Sequence, residues 1–229
     1  MKRFILLVIA TLVACEDSKK KVETPAGNEW DLEGWELIWN DEFKNSELNL
    51  DKWSYEIGGH GWGNNELQFY TDNDSTAFIE DGNLVLRAKV VPQGTGSPDN
   101  LRYFTSARLR TSGKGDWRYG RIEVKAKMAL GQGIWPAIWM LPTDWMYGGW
   151  PQSGEIDIME YDYYRKDKIH TTVHMANENG DPVYFTSIKN NISNVSEEFH
   201  VYSLEWTSNE LIFLIDNIIV YSFNIRLCF

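Results

Sequence analysis

Basic residues are in deficit: 22 Lys and Arg stand against 33 Asp and Glu, a net charge of −11 with a pI near 4.8. A surface this acidic excludes nucleic-acid or anionic-lipid binding driven by charge. No stretch carries a sustained helical period, which excludes a helical bundle. No phosphate loop, nucleotide motif, redox centre or internal repeat is found. The one long apolar run, Phe4 to Ala14, is too short for a stable membrane span. Cysteine is nearly absent, with only Cys15 and Cys228.

Aromatic residues are plentiful, with 11 Trp, 11 Tyr and 10 Phe. They suit a sandwich core, and an excess of Trp also suits a site that stacks on flat apolar ligand faces. The 229 residues suffice for one globular domain with a real core, or at most two small ones.

The N-terminal "MKRFILLVIATLVAC" has a basic start, an apolar run and a small residue before Cys15. That is a secretory signal pattern. "LVAC" also resembles a bacterial lipobox, in which the cysteine becomes the lipidated first residue. Residues 1–14 are therefore expected to form a lipoprotein signal peptide, and 15–29, "CEDSKKKVETPAGNE", a lipidated cysteine and polar tether. An acylated Cys15 leaves Cys228 without an internal disulfide partner. The expected location is the bacterial cell envelope, lipid-anchored at the outer membrane or cell surface. Residues 30–229 form the remaining domain, with no linker inside it.

Short alternating runs bounded by turn residues fill that domain. They include "NLVLRAKV" from Asn83, "FTSARLRT" from Phe104, "YGRIEVKAKMA" from Tyr119, "IHTTVHMA" from Ile169, "HVYSLEW" from His200 and "LIFLIDN" from Leu211. In "YGRIEVKAKMA", Ile122, Val124, Ala126 and Met128 fall on one face and Arg121, Glu123, Lys125 and Lys127 on the other. Thr207 to Glu210 would turn the last two runs into a hairpin. Many short strands at this spacing predict an all-β sandwich or barrel.

"SGEIDIMEYD", Ser153 to Asp162, places Glu155, Asp157 and Glu160 on an otherwise apolar stretch. Side chains alternate along a strand, so Glu155 and Asp157 share a face, and strict alternation would put Met159 beside them. A β-bulge near Met159 restores Glu160 to that face. Three adjacent acids cost free energy unless one holds a proton, so their pKa values should split. One ionised and one protonated carboxyl are what a retaining glycosidase requires. A solvated edge strand, or a metal site using His170 and His174, are the other readings of the triplet.

Trp135 and Trp139 in "GIWPAIWMLP" read either as core or as the wall of a sugar subsite, and Pro136 between them predicts an edge or bend. Asn64 and Glu66, in the loop after Gly61-Trp62-Gly63, suit hydroxyl recognition or a hydrogen-bonded turn equally well. A structural ion pair is one reading of Arg108. Trp117 and Trp150 are weaker candidates.

"GEIDIMEYD" resembles the signature of glycoside hydrolase family 16 in its bulged form. "GWGNNELQFYT", "TSARLRT", "YGRIEVKAKM", "GQGIWPAIWMLP" and "FHVYSLEWTSNELIFLIDN" resemble its laminarinase-like members in order and spacing, together covering most of Trp35 to about Tyr221. The resemblance implies a jelly-roll β-sandwich of two curved antiparallel sheets and retaining hydrolysis of internal β-1,3-glucosidic bonds in laminarin-like glucans; a monomer is expected. Agarase- and carrageenase-like members share the bulge. The resemblance makes Glu155 the nucleophile, Glu160 the acid/base and Asp157 the residue between them that tunes the nucleophile. It places Asn64, Glu66, Arg108, Trp135, Trp139 and His174 along the glycan site. Catalysis requires no cofactor on this reading. A structural Ca²⁺ is expected near Glu42 and the backbone of Gly82. Relatives continue past "FLIDN" with further strands, so a sandwich missing its last strands is expected, along with the rival outcome of a non-catalytic glycan-binding remnant.

Overall fold

The computed structural model describes residues 2–7, 32–161, 164, 168–190, 192 and 194–225. Cys15, the 15–29 tether and Cys228 lie outside the described residues. Among the described residues seventeen strands carry the fold. The first nine are β1 (Lys2–Leu7), β2 (Trp35–Asp41), β3 (Ser54–Tyr55), β4 (Gln68–Tyr70), β5 (Ala77–Glu80), β6 (Asn83–Leu86), β7 (Lys89–Thr95), β8 (Arg102–Ser106) and β9 (Leu109–Arg110). The remainder are β10 (Gly120–Ala126), β11 (Ala137–Met140), β12 (Glu155–Glu160), β13 (Lys168–Ala176), β14 (Pro182–Asn190), β15 (His200–Trp206), β16 (Glu210–Ile215) and β17 (Ile218–Asn224).

They gather into two compact units. Asp41–Asp116 builds the smaller sheets β4-β8-β7, β3-β9 and β5-β6. Lys2–Leu7 with residues 32–40 and 117–225 builds a six-stranded sheet, in the order β17-β16-β15-β10-β1-β2, and a four-stranded sheet, β11-β12-β13-β14. The all-β expectation holds. Most pairings are antiparallel, but β1–β10 and β4–β8 are parallel.

The core of the larger unit lies between its two sheets. Ile158 and Met159 of β12 and Ile169 and Val173 of β13 meet Ile122 of β10, Tyr202 and Leu204 of β15 and Phe213 of β16. Burying that apolar surface is the main stabilising term. Trp117 packs edge-on against Trp39 with ring centroids 5.3 Å apart, which makes it a core residue.

Two expectations from alternation are met in altered form. In β10, Ile122 and Ala126 face the core as expected, yet the polar face is dry at its start. Arg121 and Glu123 are only 5% and 6% exposed. Arg121 Nε donates to Glu123 Oε1 at 2.8 Å and its other nitrogens reach Glu205 and Asn217 Oδ1, while Ser203 Oγ donates to Glu123. Burial of these charges is tolerable only because each is paired. The hairpin between β15 and β16 forms at residues 207–210, closed by Thr207 N–H to Glu210 O at 3.0 Å. After "FLIDN" the chain adds β17 through a two-residue turn, Asp216-Asn217, with φ of 50° and 63°. Asp and Asn tolerate this left-handed turn better than most residues.

The sequence reading sets residues 1–14 outside the fold. In the structure Lys2–Leu7 runs parallel to β10, with Phe4 opposite Arg121 and Leu7 opposite Val124.

Candidate active site

The three acids are placed by β12. Along its first residues the pairing with β13 is regular, with Glu155 opposite His174 and Asp157 opposite Thr172. The register then slips, and Glu160 lies opposite His170. Two residues of β12, Ile158 and Met159, thus face one residue of β13. This is the expected bulge. Both bulge side chains are buried in the core, and Glu155, Asp157 and Glu160 share the opposite face.

Because cross-strand neighbours share a face, the register generates three rows across this sheet. One row is Glu155, His174 and Tyr184. The second is Trp139, Asp157, Thr172 and Thr186. The third is Ala137, Glu160, His170 and Ile188. Trp139 therefore stands beside Asp157 rather than in the core, and β11 is an edge strand that begins right after Pro136, as the proline predicts.

Two braced loops bring further side chains. Gly133, with φ of 80°, lies in the turn closed by Ile134 N–H to Gly131 O, which leads into Trp135. Trp135 Nε1 donates to Glu160 Oε1 at 3.1 Å. The loop before β12 is tied by Ser153 Oγ to Gly148 O at 2.6 Å and by Gly154 N–H to Pro151 O at 3.0 Å. It presents Trp150, whose Nε1 donates to Glu155 Oε2 at 2.6 Å. Each glutamate thus holds one indole N–H. His174 Nε2 lies 2.8 Å from Asp157 Oδ2, and Thr172 Oγ1 is 3.5 Å from Glu160 Oε2.

The electrostatics follow from burial and crowding. Glu160 is pushed up to about 7, first by burial and then by the Asp157 charge, against the favourable Trp135 hydrogen bond. Glu155 is raised by the same two causes, opposed by Trp150 and His174. His174 is raised by its hydrogen bond to Asp157, against burial, so the imidazolium is favoured. The carboxyl–imidazole cluster therefore retains protons at pH values where isolated carboxyls have lost theirs. One donor atom each from Glu155, Asp157 and His174 lies within 4.8 Å of the others, a set that could also hold a divalent ion.

The remaining expected residues lie in the other unit. Asn64 is exposed and its N–H closes onto Gly61 O at 2.9 Å, as does Glu66 N–H at 3.1 Å, so this loop is a hydrogen-bonded turn. The Glu66 carboxylate accepts from Tyr70 OH at 2.8 Å and from Gln68 Nε2. Arg108 forms the ion pair that was its alternative reading, donating to Glu56, while its guanidinium lies 4.5 Å over the Trp62 ring. Gly82, with φ of 70°, sits in the turn between β5 and β6, and Glu42 follows β2. Among the described residues no group of three or more His, Cys, Asp or Glu side chains gathers at Glu42 or Gly82. This side-chain set alone does not supply the several oxygen ligands that calcium takes.

Residues 61–226 match the family described as Glycosyl hydrolases family 16. The chain belongs to glycosyl hydrolases family 16. It is 41% identical over 200 residues to a beta-glucanase of Rhodothermus marinus, covering 82% of this chain and 65% of that protein. It is 43% identical over 187 residues to a glucan endo-1,3-beta-glucosidase of Cryptopygus antarcticus, covering 80% and 67%. The chain thus spans about two thirds of the length of these relatives. Among solved structures, the laminarinase from Rhodothermus marinus superposes with a TM-score of 0.75 at 40% identity, covering 84% of this chain and 76% of that one. This family 16 chain is accordingly an all-β, jelly-roll-type sandwich.

Sequence reasoning weighted Trp150 too lightly and did not reach Thr172. Thr172 could have been found from the alternation of "HTTVHMA", which sets His170, Thr172 and His174 on one face once His174 is taken as facing the acids. Trp150 carried no periodic signal, because it sits in a loop.

Proposed function

We propose that this chain is a retaining endo-β-1,3-glucanase that cleaves internal bonds of laminarin-like glucans. The observation that carries the reading is the pairing of unlike carboxyls on one sheet face. Glu160 keeps a proton to about pH 7, while at Glu155 the Trp150 hydrogen bond opposes the burial and Asp157 charge that raise it. The Glu155 oxygen attacks the anomeric carbon as Glu160 protonates the departing glycosidic oxygen. A covalent glycosyl ester on Glu155 results. Glu160, now a carboxylate, takes a proton from water; the water oxygen attacks the same carbon and Glu155 leaves. Asp157, hydrogen-bonded to His174, stands between the two, and its nearness raises the pKa of Glu160.

Trp135 and Trp139 provide sugar-stacking surface beside the acids. Asn64, Glu66 and Arg108 are proposed to contact sugar hydroxyls, with Arg108 sharing its guanidinium with Glu56. Similarity to the glucan endo-1,3-beta-glucosidase and to the laminarinase favours a β-1,3-glucan over agar or carrageenan. The protein is proposed to act as a monomer, anchored through lipid on Cys15 at the outer membrane or cell surface of the bacterial envelope. Calcium at Glu42 and Gly82 would serve structure only.

The test is reducing-sugar release from laminarin by the purified protein and by Glu155→Gln. The variant should lose at least about 10³-fold in kcat, and proton NMR of the first product should show the β-anomer. Laminarin binding without turnover by the folded wild-type protein would overturn the catalytic reading in favour of a glucan-binding one.

A further inference from the structure

The three-row register places one exposed aromatic side chain on the carboxylate face that the proposed reaction does not use. Tyr184 lies on β14, the edge strand of the four-stranded sheet, in the row that begins with Glu155 and His174. It is 69% exposed although it sits in regular strand structure. Its ring centroid lies 6.1 Å from that of His174, whose other neighbour is Trp150 at 6.0 Å. An aromatic series, Trp150, His174 and Tyr184, therefore leads from the Glu155 carboxylate to the sheet edge. Two strand spacings separate Tyr184 from the Glu155 strand, about 9.5 Å.

The opposite edge carries its own exposed aromatic. Trp135, 53% exposed, precedes edge strand β11 and bonds to Glu160. A linear ligand crossing the strands would meet an aromatic at each edge and the acids between them. Thr186 and Ile188, next to Tyr184 on the same face of β14, are also exposed, so nothing else on that strand covers the path. A pyranose ring offers a flat C–H face, and a Tyr ring loses little rotamer freedom on stacking against it.

We propose that Tyr184 is a glucan-binding platform beyond the acids, which stacks on a sugar unit of the bound chain distal to the cleaved bond. This rests on the glucanase reading above. Tyr184 touches neither reacting carboxylate. It contributes to holding the polysaccharide in ground state and transition state alike, so it acts on KM more than on kcat.

The experiment compares wild type, Tyr184→Ala and Tyr184→Phe on laminarin, and repeats the three in a Glu155→Gln background by calorimetric titration with laminarin. Tyr184→Ala should raise KM about 3- to 10-fold with kcat within about 2-fold, and weaken binding in the Glu155→Gln background by a similar factor. Tyr184→Phe should restore both. Unchanged KM and binding in a Tyr184→Ala protein that melts like wild type would overturn the platform while leaving the glucanase reading intact. A fall in kcat with unchanged KM, or no recovery in Tyr184→Phe, would also overturn it. A wild-type protein that neither cleaves nor binds laminarin would remove the reading on which it rests.

Discussion

Glu160 shows how far one carboxyl is altered by its surroundings. Burial and the Asp157 charge hold its proton to about pH 7, well above the unperturbed value of 4.5. The folded chain therefore binds a proton more tightly than the unfolded chain between those two pH values. The stability this contributes is complete below about 4.5 and is lost as pH rises through about 7. Glu160→Gln, which cannot ionise, should be the more stable protein above pH 7, by on the order of 2 kcal/mol after allowing for solvent around the carboxylate. The gap should close toward pH 4. Urea denaturation of both proteins across that range checks it; a gap independent of pH would mean that Glu160 ionises normally. On the proposed glucanase reading, the same proton is expected to set the alkaline limb of kcat/KM near pH 7, and the raised Glu155 the acid limb above its ordinary range, which a pH–rate profile on laminarin checks. The acids themselves were legible through the bulged E-x-D-x-x-E spacing taken together with the ordered motifs around it, since the triplet alone left an edge strand and a metal site open. The two indole N–H groups were not, since loop tryptophans leave no periodic trace.

At the scale of the element, β12 does two jobs with six residues. Its outward side chains are the acids, and its bulge turns both Ile158 and Met159 into the core. Packing of the bulge and alignment of the acids are thereby joined. Met159 is almost fully buried, so Met159→Ala should cost about 2–5 kcal/mol of stability. The alanine keeps the residue count, so the register survives, and the folded fraction should retain wild-type kcat. Chemical denaturation and kinetics well below the midpoint test this together; a loss of kcat in the fully folded variant would show that the Met159 side chain itself holds the bulge. The bulge was readable from spacing alone. β14 and β17 were not picked out. "PVYFTSIKN" alternates, but Tyr184 and Ile188 face outward while Val183 and Phe185 face inward, so apolar residues occupy both faces and the two-residue period is blurred. "IIVYSFN" is apolar on both faces in the same way.

At the scale of the whole molecule, the N-terminus poses the sharpest question. The signal pattern removes residues 1–14, whereas Lys2–Leu7 occupies a strand position beside β10. The proposed anchor requires removal. Intact-mass spectrometry of the protein from membranes should then find a lipidated Cys15 as the first residue, leaving the β10 edge without β1. A mass that retains Lys2–Leu7 would refute the anchor and keep β1 in the sheet. Edge backbone left open in this way is prone to pairing with other chains.

By itself the sequence determined the strand-rich class, the facing of the three acids and the family, because each is written in short-range spacing: period two along strands, one extra residue at a bulge, and several motifs in order. Only the tertiary structure decided that Arg121 and Glu123 are buried as a paired network, that Arg108 bonds Glu56, that Trp117 is core, and which tryptophan holds which glutamate. Those outcomes depend on the register between strands distant in the chain and on the path of braced loops. The pKa of Glu160 follows from the same causes, since burial and neighbouring charge exist only once the strands have met.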